Sequence, residues 1–344
     1  MALRIGVNAL YLIPGGVGGT EIYLRNLLAA LAETDSSNQY TIVTNQETTD
    51  LAPQAPNMRA LPQAVRAASR PARILWEQFR LPSVARAERF DVLFNPGFTA
   101  PMRCPCPQVT VFHDLQHKRH PEHFRRLDLP FWNLLLWGSA RRSTRLIAVS
   151  EATRQDLLRF YGVDSDVVPH GVEQAIFDLA ARRQPEPFIL CVSTLHPHKG
   201  LEALLEGFAE FRRRTSGYRL VLAGMRGFAA QAIEVRIRDL ALADSVEITG
   251  WIPRATLLDL YRRAGVFVYP STFEGFGMPV AEAMAAGVPL ACSDIEPLNS
   301  LAGDAALRFA PGDSRAIADA LTRVAVDKAL REPRAAKGCL GARE

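Results

Sequence analysis

The sequence predicts an α/β protein of two domains. Three observations carry that expectation. The chain has 344 residues, 48% of them hydrophobic, which is enough for two cores. Short apolar, β-branched runs alternate with helical periods from residue 3 onward, and the alternation restarts at Phe188. Each half opens on a strand that leaves through a glycine-bearing loop into a helix, which turns backbone N–H groups and a positive helix end toward an anion.

Residues 3–10, LRIGVNAL, read as a buried strand. Gly15, Gly16, Gly18 and Gly19 follow, and Ile22, Leu24, Leu27, Leu28 and Leu31 then recur at helical spacing. The glycines suit a phosphate or substrate loop. They are out of register for a dinucleotide fingerprint, and no acidic residue stands at the end of the second strand, Thr41 to Thr44, to hold a ribose. That counts against a nicotinamide-dependent dehydrogenase. Residues 45–70 carry no clear signal. Trp76 to Glu88 reads as helix, and Asp91 to Phe94 and Val109 to Phe112 as strands. His113 closes the latter strand, at the end where open α/β sheets bind ligands. Phe124 to Arg142 reads as an amphipathic helix with arginines at both ends, and Leu146 to Ser150 as a strand whose Ser150 caps Glu151 to Tyr161. Val167 to Val172 reads as a strand ending in a proline–glycine turn.

In the second half Phe188 to Ser193 is a strand, Thr194 to Gly200 a loop and Leu201 to Arg214 a helix. Lys199 stands at the mouth of that helix, where an ammonium pairs with phosphate as a point charge. It is one of only four lysines beside 36 arginines. Arg219 to Gly224 and Val246 to Ile252 are strands, and Leu257 to Arg263 is a helix. Val266 to Tyr269, a strand, enters the loop Pro270 to Gly277. The helix Pro279 to Ala286 follows, with proline near its start and Gly287 past its end. Pro289 to Ser293 is the next strand. Gly275 and Gly277 let the main chain approach a ligand closely. Glu274 precedes the helix and Glu282 lies in it, eight positions on. A phosphate-binding helix end beside two carboxylates suits a nucleotide-sugar. The diphosphate would take the helix end, and the carboxylates would accept from ribose and sugar hydroxyls.

E-G-F-G-M-P-V-A-E followed by A-M-A-A-G-V-P resembles the donor-site signature of the retaining glycosyltransferases of family 4, which have the GT-B architecture of two Rossmann-like domains facing a cleft. The Pro14–Glu21 loop, the H-D-L at His113, V-S-E-A-T-R, V-P-H-G-V and T-L-H-P-H-K-G resemble further stretches of the family, in the right order from about residue 3 to 328. The resemblance implies an acceptor-side domain over 1–170 and a donor-binding domain over 171–344, hinged near Gly171. It implies that Lys199 and the amides of Phe276, Gly277 and Met278 hold the diphosphate, and that Glu282 holds the ribose. Glu274 would position the sugar, His113 would sit near the reacting face, and the edge at Gly250 and Trp251 would meet the base. Thr194 stands where many relatives have arginine, and His198 replaces the arginine before the lysine. Diphosphate binding would then lean on Lys199 and backbone amides. The leaving phosphate would itself take the acceptor's proton, so no general base is needed. Relatives usually continue into a final helix that crosses back to the first domain. This chain ends REPRAAKGCLGARE, and that helix is expected to be missing, which puts closure of the domains in question.

Composition narrows the setting. Five scattered cysteines fit a reducing compartment better than a disulfide framework. No signal peptide is evident, and the run Leu129 to Ala140 is broken by Pro130 and Asn133 and falls short of the roughly 20 residues that span a membrane. A cytoplasmic protein follows as the expectation. The net charge of +4 resides in residues 1–170, with 19 Lys and Arg against 15 Asp and Glu. Seven arginines lie from Arg59 to Arg89. They read as a solvated helix face, or as attraction to an anionic surface such as a lipid headgroup or phosphorylated acceptor. Asp164-Ser165-Asp166 reads as an acidic turn, and His113, His117, His120 and His123 lack a metal-ligand pattern, so neither metal nor cofactor is expected.

The expected reaction is transfer of a sugar from a nucleotide-sugar, GDP-mannose first, to a glycan or polyprenol-linked acceptor, with no nucleic-acid partner and with contact to a membrane surface through the basic first domain. The mannose choice rests on resemblance to mannosyltransferases of surface-polysaccharide pathways. Two other classes share the outline: a sugar-nucleotide epimerase, and a weakly active or non-catalytic partner subunit.

Overall fold

In the computed structural model, which describes residues 2–15 and 18–343, the chain divides into two units, Met1–Gly171 and Val172–Glu344. The first is built on seven parallel strands: β1 (Arg4–Asn8), β2 (Gln39–Thr44), β3 (Met58–Pro62), β4 (Val92–Asn95), β5 (Gln108–Phe112), β6 (Arg145–Ala148) and β7 (Asp166–Val167). Their order is β3-β2-β1-β4-β5-β6-β7. The second has six: β8 (Glu186–Val192), β9 (Arg219–Ala223), β10 (Val246–Gly250), β11 (Ala264–Tyr269), β12 (Leu290–Ser293) and β13 (Ala306–Phe309), in the order β10-β9-β8-β11-β12-β13. All pairings are parallel.

Helices cover both faces of each sheet, which is why the strands read as continuous apolar runs. In the first unit Leu24 and Leu28 pack with Val7 and Ile42 on one face, and Leu81, Phe90 and Leu93 pack with Leu10 and Val43 on the other. In the second, Phe208, Phe211 and Ile317 gather on one face, and Tyr261, Val280 and Met284 pack on Phe267 across the sheet. The strand order reverses between β1 and β4 in the first sheet and between β8 and β11 in the second. At such a switch point neighbouring loops diverge and leave room for a ligand outside the carboxyl ends of the strands.

Several elements differ from expectation. Residues 45–70 supply the edge strand β3. The helix expected over Trp76 to Glu88 is two, Arg70–Phe79 and Leu81–Ala87. Pro82 cannot continue a helix but fits the first turn of a new one. For the same reason the helix expected from Phe124 begins at Leu129, with Pro130 in its first turn. β7 stops at Val167, short of Pro169, which has no N–H to donate to a ladder. Helices at Gln174–Ala180, Ala230–Asp239 and Leu298–Ala302, and strand β13, were not foreseen.

The tail, where a final helix crossing back to the first domain was expected to be missing, forms the helix Lys328–Gly341, which is part of the second unit. Asp327 caps it by accepting from the Leu330 N–H at 3.0 Å. Arg334 ties it to the second unit, donating to the carbonyls of Asp304 and Ala306. No helix among the described residues is long and apolar enough to cross a membrane.

Candidate functional site

The loops leaving β8 and β11 meet at the switch point of the second sheet. Gly200 makes the approach possible. Its φ is +64°, and a Cβ there would lie 2.1 Å from the Pro270 carbonyl oxygen, so only glycine fits. The His198 carbonyl accepts from the Thr272 N–H at 2.7 Å and from the Ser271 hydroxyl at 3.1 Å. These backbone ties set Lys199 against the second loop. Its Nζ lies 2.6 Å from Glu274 Oε1 and donates to the Tyr269 hydroxyl at 3.2 Å. The Lys199 and Glu274 side chains are only 15% and 11% exposed. Thr194 lies earlier in the same loop, partly buried, and the His198 ring stacks on His196.

Gly277, at φ +102°, starts the helix Met278–Ala285 directly after Gly275 and the nearly buried Phe276. Glu282 faces inward from that helix and is 3% exposed. Its Oε2 accepts from the Tyr261 hydroxyl at 2.9 Å, and its Oε1 lies 2.8 Å from Arg254 Nη1. Burial pushes the Glu282 carboxyl up, and Arg254 opposes that shift. Arg254 also donates to Glu173 at 3.0 Å, so one guanidinium holds two carboxylates. Gly250 closes β10 at φ +69°, and Trp251 beyond it is 62% exposed. Tyr269, Tyr261 and Arg254 were missed in the sequence. Tyr261 lies seven positions after Arg254, which puts both on one helix face, but that spacing is equally common in plain packing.

The remaining expected residues lie in the first unit. Gly15 donates its N–H to Glu21 Oε2 at 2.8 Å, and Gly18, at φ +59°, precedes the helix Gly19–Thr34. Gly16 lies outside the described residues. His113 is buried, with Nε2 2.7 Å from the Pro96 carbonyl oxygen and Nδ1 3.4 Å from His170 Nε2. A carbonyl only accepts, so His113 Nε2 carries the proton. Tyr23 stands edge-on to both rings. Burial lowers His113 to about 4, so this imidazole is neutral near pH 7. Asp164 forms an ion pair with Arg154 at 2.7 Å. Among the described residues His120, Glu122 and His123 lie close enough to share a metal ion, with His120 Nδ1 2.9 Å from Glu122 Oε1.

Two family descriptions match. The glycosyl transferases group 1 model matches residues 173–338, and the glycosyltransferase family 4 model residues 17–175. The O-antigen chain mannosyltransferase B of Escherichia coli is 27% identical over 267 residues, covering 74% of this chain and 70% of that protein. The O-antigen chain mannosyltransferase RfbU of Salmonella typhimurium is 27% identical over 220 residues, covering 63% and 60%. Among solved structures, sucrose-phosphate synthase from Thermosynechococcus elongatus shares the fold at a TM-score of 0.81 and 20% identity, over 99% of this chain and 94% of that one. Together the two family matches run from residue 17 to 338, and the chain belongs to the group 1 and family 4 glycosyltransferases, which have the GT-B fold.

Proposed function

We propose that the chain transfers mannose from GDP-mannose to a glycan or polyprenol-linked acceptor, with retention at the anomeric carbon and without a metal. The observation that carries this reading is the Lys199–Glu274 pair, 2.6 Å apart at the switch point and one turn of loop before the Gly277 helix start. An ammonium, a carboxylate and a helix N-terminus are the groups a departing diphosphate and a cationic sugar need. In the transition state negative charge grows on the diphosphate and positive charge on the sugar ring, and fixed dipoles aimed at developing charge contribute most. Lys199 has three N–H donors. Tyr269 and Glu274 engage two of them, which leaves one for a phosphate oxygen. The amides of Phe276, Gly277 and Met278 would meet the second phosphate, and Glu274 would steady the sugar. Thr194 and His198 would line the diphosphate, and Gly250 and Trp251 the base. Glu282 would take the ribose hydroxyls. At 3% exposure it does so once Arg254 swings toward Glu173, its other carboxylate partner. Gly15, Gly18, Gly19 and neutral His113 would serve the first domain's side of the reaction.

The mannosyltransferase relatives support mannose as the first choice of sugar. A thermal-shift panel of GDP-, UDP-, dTDP- and ADP-sugars, followed by product analysis, tests the reading. GDP-mannose should stabilise the protein most and release GDP in the presence of acceptor. An epimerised donor, or no stabilisation by any nucleotide-sugar, overturns it.

A further inference from the structure

The segment 96–107, between β4 and β5, carries two thiols that the transferase reading does not use. Cys104 and Cys106 flank Pro105. Side chains two positions apart in extended chain lie on one side, and a proline biases the residue before it toward extended backbone. The bend at 105–106 then turns the pair together, and the sulfurs lie 3.6 Å apart. Both side chains pack against the core of Leu10, Leu81, Phe90 and Leu93 and remain partly exposed. The flanks are fixed. Met102 N–H donates to Gln78 Oε1 at 2.9 Å, Gln108 Nε2 donates to the Pro101 carbonyl at 3.1 Å, and Leu93 N–H donates to the Pro107 carbonyl at 2.9 Å. Only the bend between the thiols has to adjust for the sulfurs to meet. The pair also shares its protons unevenly. The hydrogen bond from the Cys106 thiol lowers Cys104 to about 7 against the effect of burial, and the same bond pushes Cys106 up. A thiolate therefore stands beside a protonated thiol. Cys191 and Cys292 differ, since both are sealed in β8 and β12 and burial pushes each up to about 12.

We propose that Cys104 and Cys106 are a peroxide-responsive pair that closes into a reversible disulfide within the first unit. The Cys104 thiolate attacks one oxygen of hydrogen peroxide, the O–O bond breaks, and Cys104 becomes a sulfenic acid as hydroxide leaves. The Cys106 sulfur then attacks the Cys104 sulfur. The S–O bond breaks, and the departing hydroxide takes the Cys106 proton and leaves as water. In sum, two thiols and one peroxide give one disulfide and two waters, each sulfur losing one electron and the peroxide gaining two. The sulfurs close from 3.6 Å to about 2.05 Å. A resolving thiol two positions away needs no diffusional encounter, so the second step outruns further oxidation of the sulfenic acid. A small dithiol reductant reopens the bond. In a reducing compartment such a disulfide is transient, which suits a sensor rather than a staple. The proposal is independent of the transferase reading.

The test uses the full reduced chain, treated with hydrogen peroxide, blocked with an alkylating reagent and cut with trypsin. The tryptic segment 104–118 holds these two cysteines and no other. In wild type this segment is expected to become two hydrogens lighter, and to regain them with dithiothreitol. Near pH 7 Cys104 should react about three-fold faster than cysteine in an unstructured peptide, because its larger thiolate fraction is offset in part by a weaker nucleophile. Cys106→Ser should leave a sulfenic acid at Cys104 that dimedone traps, and Cys104→Ser should react several-fold more slowly than Cys106→Ser. A wild-type segment of unchanged mass, a disulfide joining two chains, or equal reactivity of the two variants overturns the proposal. The mass of the wild-type segment decides the matter even where a variant does not fold.

Discussion

Lys199 Nζ sits 2.6 Å from Glu274 Oε1, although 75 residues separate them, because Gly200 lets its loop pass against the Pro270 carbonyl. Each side chain satisfies the other's charge in a site mostly closed to water, so neither can be removed independently. Lys199→Ala is expected to lower kcat by about 10²–10³, the usual loss when one donor to a developing anion is removed. Glu274→Ala should lower turnover with less effect on donor affinity. The double variant should fall short of the summed losses by about 1–3 kcal/mol. Full additivity in a kinetic double-mutant cycle would show that the pair does not act as a unit.

Glu282 depends on Arg254 and Tyr261. Arg254→Met leaves a buried carboxylate with only the Tyr261 hydroxyl, and the expected loss is about 3 kcal/mol, at the low end for a broken buried pair because Arg254 is partly exposed. A lowered midpoint in urea checks this. Glu282→Ala should weaken nucleotide binding measured by calorimetry, whereas Glu274→Ala should not. Unchanged affinity in Glu282→Ala would remove Glu282 from the donor site.

The first unit should be acid-sensitive. Burial lowers His113 and His117 from 6.5 to about 4, and His170 to about 3. The unfolded chain therefore binds protons between pH 6.5 and about 4 that the folded chain refuses. Stability is full above pH 6.5 and is lost as pH falls, at up to about 1.4 kcal/mol per pH unit for each histidine. His113→Phe should flatten the slope by about one proton. A slope identical to wild type in denaturant melts across that range would show that His113 is not buried neutral.

Activity is expected to survive EDTA. Asp164 is held by Arg154, and the diphosphate has an ammonium and backbone amides to receive it in the proposed site. Loss of transfer on chelation, restored by manganese, would overturn the metal-free mechanism and direct attention to His120, Glu122 and His123.

Gly200→Ala places a methyl against a backbone oxygen at a positive φ, a clash that no rotamer relieves. Loss of several kcal/mol of stability, or a chain that folds with the Lys199–Glu274 contact broken and kcat down as in Lys199→Ala, is expected. Wild-type stability and turnover would show that the two loops are not held by this approach.

The alternation of apolar runs and helical periods determined two α/β units, because parallel strands buried on both faces leave a continuous apolar signal that needs no partner to be recognised. The loops around Lys199, Glu274 and Gly277 were legible for a related reason: a strand leaving through glycines into a helix is a local pattern. Residue spacing along the chain could not show that Lys199 pairs with Glu274, or that Glu282 is enclosed by Tyr261 and Arg254. Those relationships come from strand order. β8 lies beside β11, and β1 beside β4, only because the sheets assemble that way, and the side chains those neighbours bring together lie dozens of residues apart. Short elements escaped for the opposite reason. β3 and β7 are edge strands of five and two residues, held mainly by pairing with a neighbour, and their own sequences carry too little periodicity to announce them.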